Sequence, residues 1–347
     1  MSPLSRYLHD AGQLRQVAWY LGHALAAARL TTPVFDDLPK GLPDRNHYLA
    51  DLRELLKRDR RHIQAGLYRQ PDDLQPRGPA AFRQSTRFLA DLGKINLRRL
   101  RKDGQEVFRD YRSDETRSRN GRPRYYLQNF HYQTDGWLSD HSAELYDFQV
   151  DVLFNGATDA MRRQALIPIA DFCCSRRIAD LTLLDVACGT GRFLHAIKQN
   201  FPRLPVIGLD LSQAYLEKTR KTLASWSWWH AIEASAEYLP MRSESIDLIT
   251  SVYLLHELPK KIRHLVACEL VRVLKPNGQL VIVDSLQYGD HPPFDGLLDL
   301  FPVLYHEPYY KDYAETDLVG LFTEAGLHLR QIDRAFMSKI MVFDKAG

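Results

Sequence analysis

From Thr182 onward, short runs of β-branched and leucine residues alternate with longer amphipathic stretches. The runs are Thr182–Ala187, Val206–Asp210, His230–Ala234, Ile246–Val252 and Gly278–Asp284. The stretches between them are Arg192–Gln199, Ser212–Ala224 and Lys260–Leu274. Strands separated by helices at this spacing predict βαβ units, and hence a mostly parallel sheet with helices on both faces. Two more runs, Leu327–Phe336 and Lys339–Asp344, lie close enough together to form an antiparallel hairpin. The class is α/β. Residues 125–180 are rich in aromatics and read as helical.

The first 125 residues follow a different pattern. Leu14, Val17, Ala18 and Leu21 recur at helical spacing, and so do Leu49, Leu52 and Leu56. Pro33, Pro39 and Pro43, then Pro71, Pro76 and Pro79, punctuate these stretches. Arg112–Arg124 is polar, carries Gly and Pro, and has no periodicity; it reads as a linker. Charge changes at the same place. Residues 53–124 hold 20 Arg/Lys against 10 Asp/Glu, whereas the whole chain is only +3, so the rest stands at −7. The expected division is a smaller basic helical domain with its linker over 1–124, followed by the α/β domain over 125–347.

With 45% hydrophobic and 26% charged residues in 347, the chain is not disordered, collagen-like or coiled-coil. Two of its four cysteines are adjacent (Cys173, Cys174) and two stand alone (Cys188, Cys268), which makes neither a disulfide framework nor a CxxC pair. A reducing, cytoplasmic setting is the expectation. No apolar run approaches the roughly eighteen residues of a membrane span, and the start lacks a secretory pattern. Its Arg- and Ala-bearing beginning leaves an organellar transit peptide open. The basic region is read as a solvated helical surface before a nucleic-acid or anionic-membrane footprint. Its acids are interspersed, and it has no zinc finger, RNP1 sequence or GxxG loop.

The chemistry concentrates in Leu183-Leu-Asp-Val-Ala-Cys-Gly-Thr-Gly-Arg192, a buried strand running into a loop with Gly189 and Gly191 and then a helix. Glycines there let the backbone turn tightly and approach a ligand at the carboxyl end of the first strand. A dinucleotide fingerprint would need a third glycine where Leu194 stands. A carboxylate at Asp185, four residues before the first glycine, opposes a pyrophosphate and suits a cation such as a sulfonium with an adjacent ammonium. Twenty-five residues on, Asp210 ends the second strand where an acid can take a ribose diol.

LLDVACGTGRF, GLDLS, ASAEYLP, IDLITSVYLLHELP and LVRVLKPNGQLVIVD, in this order, resemble the Rossmann-like (class I) S-adenosylmethionine-dependent methyltransferases. The likeness is greatest to the ubiquinone/menaquinone-biosynthesis C-methyltransferase group, over roughly residues 126–347. The resemblance implies a doubly wound seven-stranded, mostly parallel sheet with a reversed last strand. It implies S-adenosylmethionine as cofactor, S-adenosylhomocysteine as product and no metal. The acceptor would be a small molecule methylated at carbon or oxygen, such as a quinone, phenol, lipid-like compound or carboxylate. The alternatives are a nucleic-acid or protein methyltransferase using the basic N-terminal region, or a non-catalytic cofactor-binding module. Against the former, no (D/N/S)PP(Y/F) tetrapeptide follows the fourth strand.

Carried over, the resemblance puts the loop of Asp185, Ala187, Cys188, Gly189, Thr190 and Gly191 at the methionine end of the cofactor. Asp210 would take the ribose diol, Leu211 would pack on the adenine and Ala236 would give its backbone amide to the ring, with Ser212, Ser235 and Glu237 also at the cofactor. Ser251 would lie beneath the methyl, and Tyr132 and Tyr146 would close a lid. Two departures are Ala187, where the family usually has Gly, and Ser235, where an acid often holds the adenine amino group. Catalysis would fall to His256, Tyr253, His306 and Glu307, a histidine acting as base in its neutral form. Tyr305, Tyr309, Tyr310 and His291, in the stretch 284–316, would form the substrate wall. Each has a plainer role open to it: Asp210 with Ser212 as a helix cap, Cys188 as filler, His256 as a packed loop residue.

Overall fold

The structure, a computed structural model, describes residues 3–30, 45–72, 78–101, 122–127, 130, 136–137 and 139–347. Its strands are β1 (Leu183–Val186), β2 (Val206–Asp210), β3 (Trp229–Glu233), β4 (Ile246–Val252), β5 (Leu274–Ser285), β6 (Leu327–Ala335) and β7 (Ser338–Lys345). They form one sheet in the order β3-β2-β1-β4-β5-β7-β6. The first five are parallel, and β7 slots antiparallel between β5 and β6. All seven runs read from the sequence are strands, with ends shifted by a few residues. The largest shift is at β5, which starts at Leu274 rather than Gly278. Lys275-Pro-Asn-Gly does turn, with Asn277 at φ 61, yet Leu274 already pairs with Ile246 across a register irregularity.

Helices α1 (Pro3–Leu30), α2 (Arg45–Ala65) and α3 (Gly78–Arg101) precede α4 (Asp140–Leu153), α5 (Thr158–Arg163) and α6 (Leu166–Cys174). The crossovers α7 (Arg192–Asn200), α8 (Gln213–Thr222) and α9 (Lys260–Val273) follow, then α10 (Asp295–Tyr305), α11 (Tyr310–Glu315) and α12 (Leu318–Glu324). β1 is buried along its whole length, and its neighbours β2 and β4 lead away in opposite directions. The chain reverses its winding there, so a crevice opens at the carboxyl ends of these strands. Among the described residues no helix is long and apolar enough to cross a membrane.

Helix α2 does not stand apart from the sheet. Its Leu52, Leu55 and Ile63, with Tyr68 beyond it, belong to the same apolar core as β1 and β4. Asp59, fully buried, accepts two hydrogen bonds from Arg163 of α5 at 3.0 and 2.8 Å and one from the Tyr68 hydroxyl at 2.7 Å. Arg58 grips both oxygens of Asp333 on β6 at 3.0 Å, and Arg334 returns the contact to Asp51 at 2.8 Å. The charge break near residue 124 therefore divides composition, while packing joins α2 to the sheet. Helices α1, α3 and α4 share a second, smaller core of Tyr20, Phe88, Phe148 and Val152. The proposed linker lies mostly outside the described residues.

Candidate active site

Two cavities meet at the carboxyl edge of the sheet. The first is lined by Ala187 and Gly189 after β1, Asp210 to Ser212 after β2, Ala234 to Ala236 after β3 and Val252 to Leu254 after β4. Tyr125, Tyr126, Phe130, Trp137 and Tyr146 close its outer side. Trp137 packs edge-on against both Tyr146 and Tyr215, so the aromatic cover is itself packed. Arg192, at the start of α7, ties the loop to α4 and α5 through Asp151 at 2.8 Å and Asp159 at 2.6 Å.

The glycine loop owes its shape to backbone conformations and to Asp210. Gly191 has φ 75, and a Cβ there would stand 2.8 Å from Cγ2 of Thr219, so only glycine lets α7 meet α8 so closely. Ala187 takes φ 60, a left-handed conformation that disfavours a side chain and explains why glycine commonly occupies this place. One oxygen of Asp210 accepts from the Gly189 amide and the other from the Ser212 amide, both at 2.8 Å. Asp210 thus braces the loop and also faces the cavity, and Ser212 caps α8 at the Tyr215 amide. Ligand wall and local cap are one arrangement.

Burial first, and then the charge of Asp210, push Asp185 up to about 7, against the hydrogen bond it accepts from Thr250 at 2.6 Å. Burial raises Asp210 also, opposed by the amides it accepts from. Of these two buried carboxyls Asp210 lines the cavity, and a carboxyl that resists ionising there favours a positive ligand beside it. A glycine-bearing loop, an acid for a diol and an alanine-lined slot after β3 complete a cavity that fits S-adenosylmethionine.

Several expected cofactor residues do not reach this cavity. Asp185 and Ser251 are both buried in the sheet behind it. Cys188 points to the sheet side, where a Cβ on Gly208 would meet its sulfur at 2.9 Å, and burial raises its thiol well above the usual range. Thr190 instead donates to Asp147 at 2.9 Å, and Gly191 serves helix packing. Glu237 accepts from the Tyr125 hydroxyl at 3.1 Å and so acts through the lid, while Ser235 and Ala236 do line the cavity. Tyr146 is on the wall, whereas Tyr132 lies outside the described residues.

The second cavity adjoins the first and shares Tyr146, Tyr253 and Glu257 with it. Its lining is apolar and aromatic: Val150, Leu153 and Phe154 from α4, and Leu297, Leu298, Leu300, Phe301, Leu304 and Tyr305 from α10. Tyr48 of α2, Tyr310 of α11, Met337, Ser285 and His256 complete it. Tyr253 follows β4 at φ 58, strained for a bulky residue and placed where the two cavities meet. Of the expected substrate wall, Tyr305 and Tyr310 are present. Tyr309 packs toward Phe130, its ring 6.3 Å away, and lines neither cavity. His291 pairs with Asp51 of α2 at 2.7 Å, so it anchors a helix rather than a substrate.

The expectation of a neutral histidine base is corrected by the environment of His256. Burial alone would lower this imidazole, but Asp284, 2.5 Å from Nδ1, and Glu257, 3.5 Å from Nε2, override it and push it up to about 10. It is a cation at neutral pH. Asp284 also accepts from the Leu255 and Ser285 amides, both at 2.7 Å, which locks the turn Leu255–Glu257 to β5. His306 caps α10 in a left-handed conformation, burial lowers it, and it lines neither cavity. Glu307 stands behind the wall against Glu257.

Sequence reasoning passed over four side chains that matter here. Glu257 and Asp284 sit beside features it did single out. Arg263, 1% exposed, spans from the Leu255 and Leu258 carbonyls to Asp312 and Thr316, and so ties the turn Leu255–Glu257 to α11. Tyr48 arrives from more than 200 residues away, and no local pattern marks it.

Comparison with known proteins agrees with this geometry. Residues 183–278 match a family model described as a methyltransferase domain. The chain is 32% identical over 149 residues to the demethylmenaquinone methyltransferase of Thermotoga maritima, covering 43% of this chain and 60% of that protein. It is 30% identical over 105 residues to the malonyl-[acyl-carrier protein] O-methyltransferase of Legionella pneumophila, covering 30% and 36%. A solved S-adenosylmethionine-dependent methyltransferase from Aquifex aeolicus aligns with a TM-score of 0.38 and 15% identity, over 52% of this chain and 88% of that one. The chain spans 60% or less of the length of these two curated relatives. The sheet order, the bracing acid after β2 and the matched segment all agree with a Rossmann-like methyltransferase domain that includes residues 183–278.

Proposed function

We propose that this protein transfers a methyl group from S-adenosylmethionine to a carbon or oxygen of a small, flat, largely apolar acceptor of the phenol or quinol type. The observation that carries the reading is the second cavity, aromatic and leucine-lined, sharing Tyr146, Tyr253 and Glu257 with the cofactor cavity. When bound, the cofactor supplies an electrophilic methyl on a sulfonium. Asp210 and the loop at Ala187 and Gly189 would hold and orient it, while the aromatic cover keeps water out. Tyr253, Phe301, Tyr305 and Tyr310 offer ring faces and edges for a planar acceptor. Holding donor and acceptor in near-attack geometry removes most of the barrier. Glu257, on the shared wall, is placed to take the acceptor's proton, a role His256 has given up by being protonated already.

The names of the two relatives suggest two acceptors, a naphthoquinone ring and a carboxylate on a carrier protein. The apolar lining supports the ring. The test is transfer of labelled methyl to a reduced demethylmenaquinone with a short side chain, run beside malonyl thioester. Label on the quinol and none on the thioester is expected. Cofactor binding without label on any phenol or quinol would overturn the acceptor class, and no cofactor binding would overturn the whole reading.

A further inference from the structure

Large apolar side chains reach solvent mainly on two helices. Leu14, Leu25 and Leu30 of α1 and Phe82, Leu89 and Leu97 of α3 are exposed, Leu14 at 72% and Phe82 at 67%. With Trp19 they are seven of the twelve large hydrophobics exposed among the described residues, so the exposure is concentrated rather than scattered. The two helices lie side by side. His23 hydrogen-bonds with the Ser85 hydroxyl at 2.5 Å, and the Asn96 side chain donates to the Leu30 carbonyl at 3.0 Å. Both bury one face on α4, where the Tyr20 and Phe88 rings flank Phe148 at 5.4 and 5.3 Å. Residues seven or eleven apart share a side of a helix, so Phe82 aligns with Leu89, and Leu14 with Leu25, on the faces turned away from α4.

Charge singles out what this face meets. Helices α1 and α3 carry nine Arg/Lys against two acids. Asp10 is engaged by Arg60 of α2 at 3.0 Å, and Asp91 is buried and accepts from Gln149 at 3.2 Å, so neither neutralises the outer face. Arg29, Arg83 and Lys94 are exposed beside the apolar side chains. A second copy docked face to face would set these cations against their own counterparts. A nucleic-acid backbone would take the cations and leave the leucines and Phe82 in water. An anionic lipid surface satisfies both, with apolar side chains at the acyl boundary and cations among the headgroups.

We propose that the outer face of α1 and α3 docks this protein on an anionic lipid surface, lying along it rather than crossing it. No described helix is long and apolar enough to span a membrane. Helix α4, on which the pair is seated, lines the acceptor cavity with Val150, Leu153 and Phe154. The docked face therefore stands one helix away from that cavity, a position that suits an acceptor dissolved in lipid. This use of the surface rests on the acceptor being apolar, whereas the docking itself does not.

Vesicle flotation of the full chain tests the docking with no acceptor present. The unaltered chain should float with mixed phosphatidylcholine–phosphatidylglycerol vesicles and stay unbound with phosphatidylcholine alone. Salt at about 1 M, which shortens the screening length to about 3 Å, should weaken the binding. Arg83→Ser combined with Lys94→Ser should lower vesicle affinity about thirtyfold, from about fivefold for each cation lost. Leu14→Ser combined with Phe82→Ser should lower it at least about tenfold. None of these four side chains lines a cavity, so melting temperature and S-adenosylmethionine affinity should match the wild type in both variants. Equal binding to neutral and anionic vesicles, or binding untouched in both variants, would overturn the proposal. So would a dimer that Leu14→Ser with Phe82→Ser dissolves, which gives the face to a second copy. Duplex DNA bound more tightly than vesicles at the same salt would give it to nucleic acid and overturn it equally. A chain that binds S-adenosylmethionine and no vesicle loses this inference alone. One that floats yet methylates no phenol or quinol keeps the docking and loses the acceptor class.

Discussion

The cofactor cavity and the acceptor cavity touch, yet they are built in opposite ways. The cofactor side comes from the tips of four successive parallel strands, β1 to β4, and its loop is held in shape by backbone amides that donate to one acid. The acceptor side is assembled from α2, α4, α10, α11 and the turn after β4, by side chains. A site made of strand tips inherits its geometry from the sheet. A site made of side chains on separate helices inherits it from ion pairs and packing between distant segments, so its chemistry can vary while the fold does not.

The deepest difference lies in where each side stores its electrostatic stability. On the acceptor side the buried His256–Asp284 pair holds the turn, and removing one partner of such a pair costs about 3–5 kcal/mol. His256→Leu should therefore lower unfolding free energy by about 3 kcal/mol or more, since Asp284 keeps its two amides but loses its cation. The pH sign follows from a raised group: ordinary imidazole titrates near ~6.5 and this one is held up at about 10. Its contribution is complete below ~6.5 and fades as pH rises through about 10. Denaturant melts across that range should show the decline in the wild type and flatten in the variant. A variant as stable as the wild type at pH 6 would mean that the pair contributes nothing net.

On the cofactor side the fragile point is conformational. Gly191→Ala puts a methyl at φ 75 and 2.8 Å from Thr219 Cγ2, at a cost of roughly 1–3 kcal/mol for the backbone before any clash is relieved. Melting temperature and S-adenosylmethionine affinity should fall together, because α7 and the loop move as one. Loss of stability with unchanged affinity would show that loop and helix are independent.

This contrast also explains what could be read from the sequence. All seven strands, the reversed hairpin and the acid after β2 were legible, because strand burial and glycine turns leave local signatures. The role of His256 was not, since its charge depends on Asp284, 28 residues away on β5, and on burial that no periodicity encodes. The aromatic stretch after β5 divided in the structure: Tyr305 and Tyr310 face the cavity, Tyr309 and His291 face elsewhere. Composition marks such a stretch as a wall but not which side of it each ring occupies. The basic N-terminal region was read as a separate unit because charge is a surface property, whereas α2 joins the sheet through buried Leu52, Leu55 and Asp59.

Asp210→Asn sharpens the comparison at a smaller scale. The two oxygens of Asp210 accept from two amides, and an asparagine must turn its NH2 toward one of them. One backbone donor is then left opposed and the ribose loses a charged acceptor, so cofactor affinity should fall at least about tenfold. Titration calorimetry with S-adenosylhomocysteine measures it directly. Unchanged affinity would place the ribose elsewhere.

The smallest effect separates the two halves most cleanly. Tyr48 reaches the acceptor cavity from α2, and its hydroxyl accepts a hydrogen bond from the Asn155 side chain at 2.7 Å. Its ring also packs edge-on against Phe336 at 5.1 Å, so Tyr48→Phe keeps the packing and deletes only the polar tether. A net hydrogen bond of this kind is worth about 0.5–1.5 kcal/mol, and the stability change should lie within that range. The wall would then be free to shift on the acceptor side alone. KM for the quinol should rise by roughly two- to tenfold, the equivalent of that energy, while cofactor affinity stays unchanged. If cofactor affinity falls as well, α2 shapes both cavities and the two halves are mechanically one site. If neither constant moves, Tyr48 is lining without influence, and the N-terminal region has no part in choosing the acceptor.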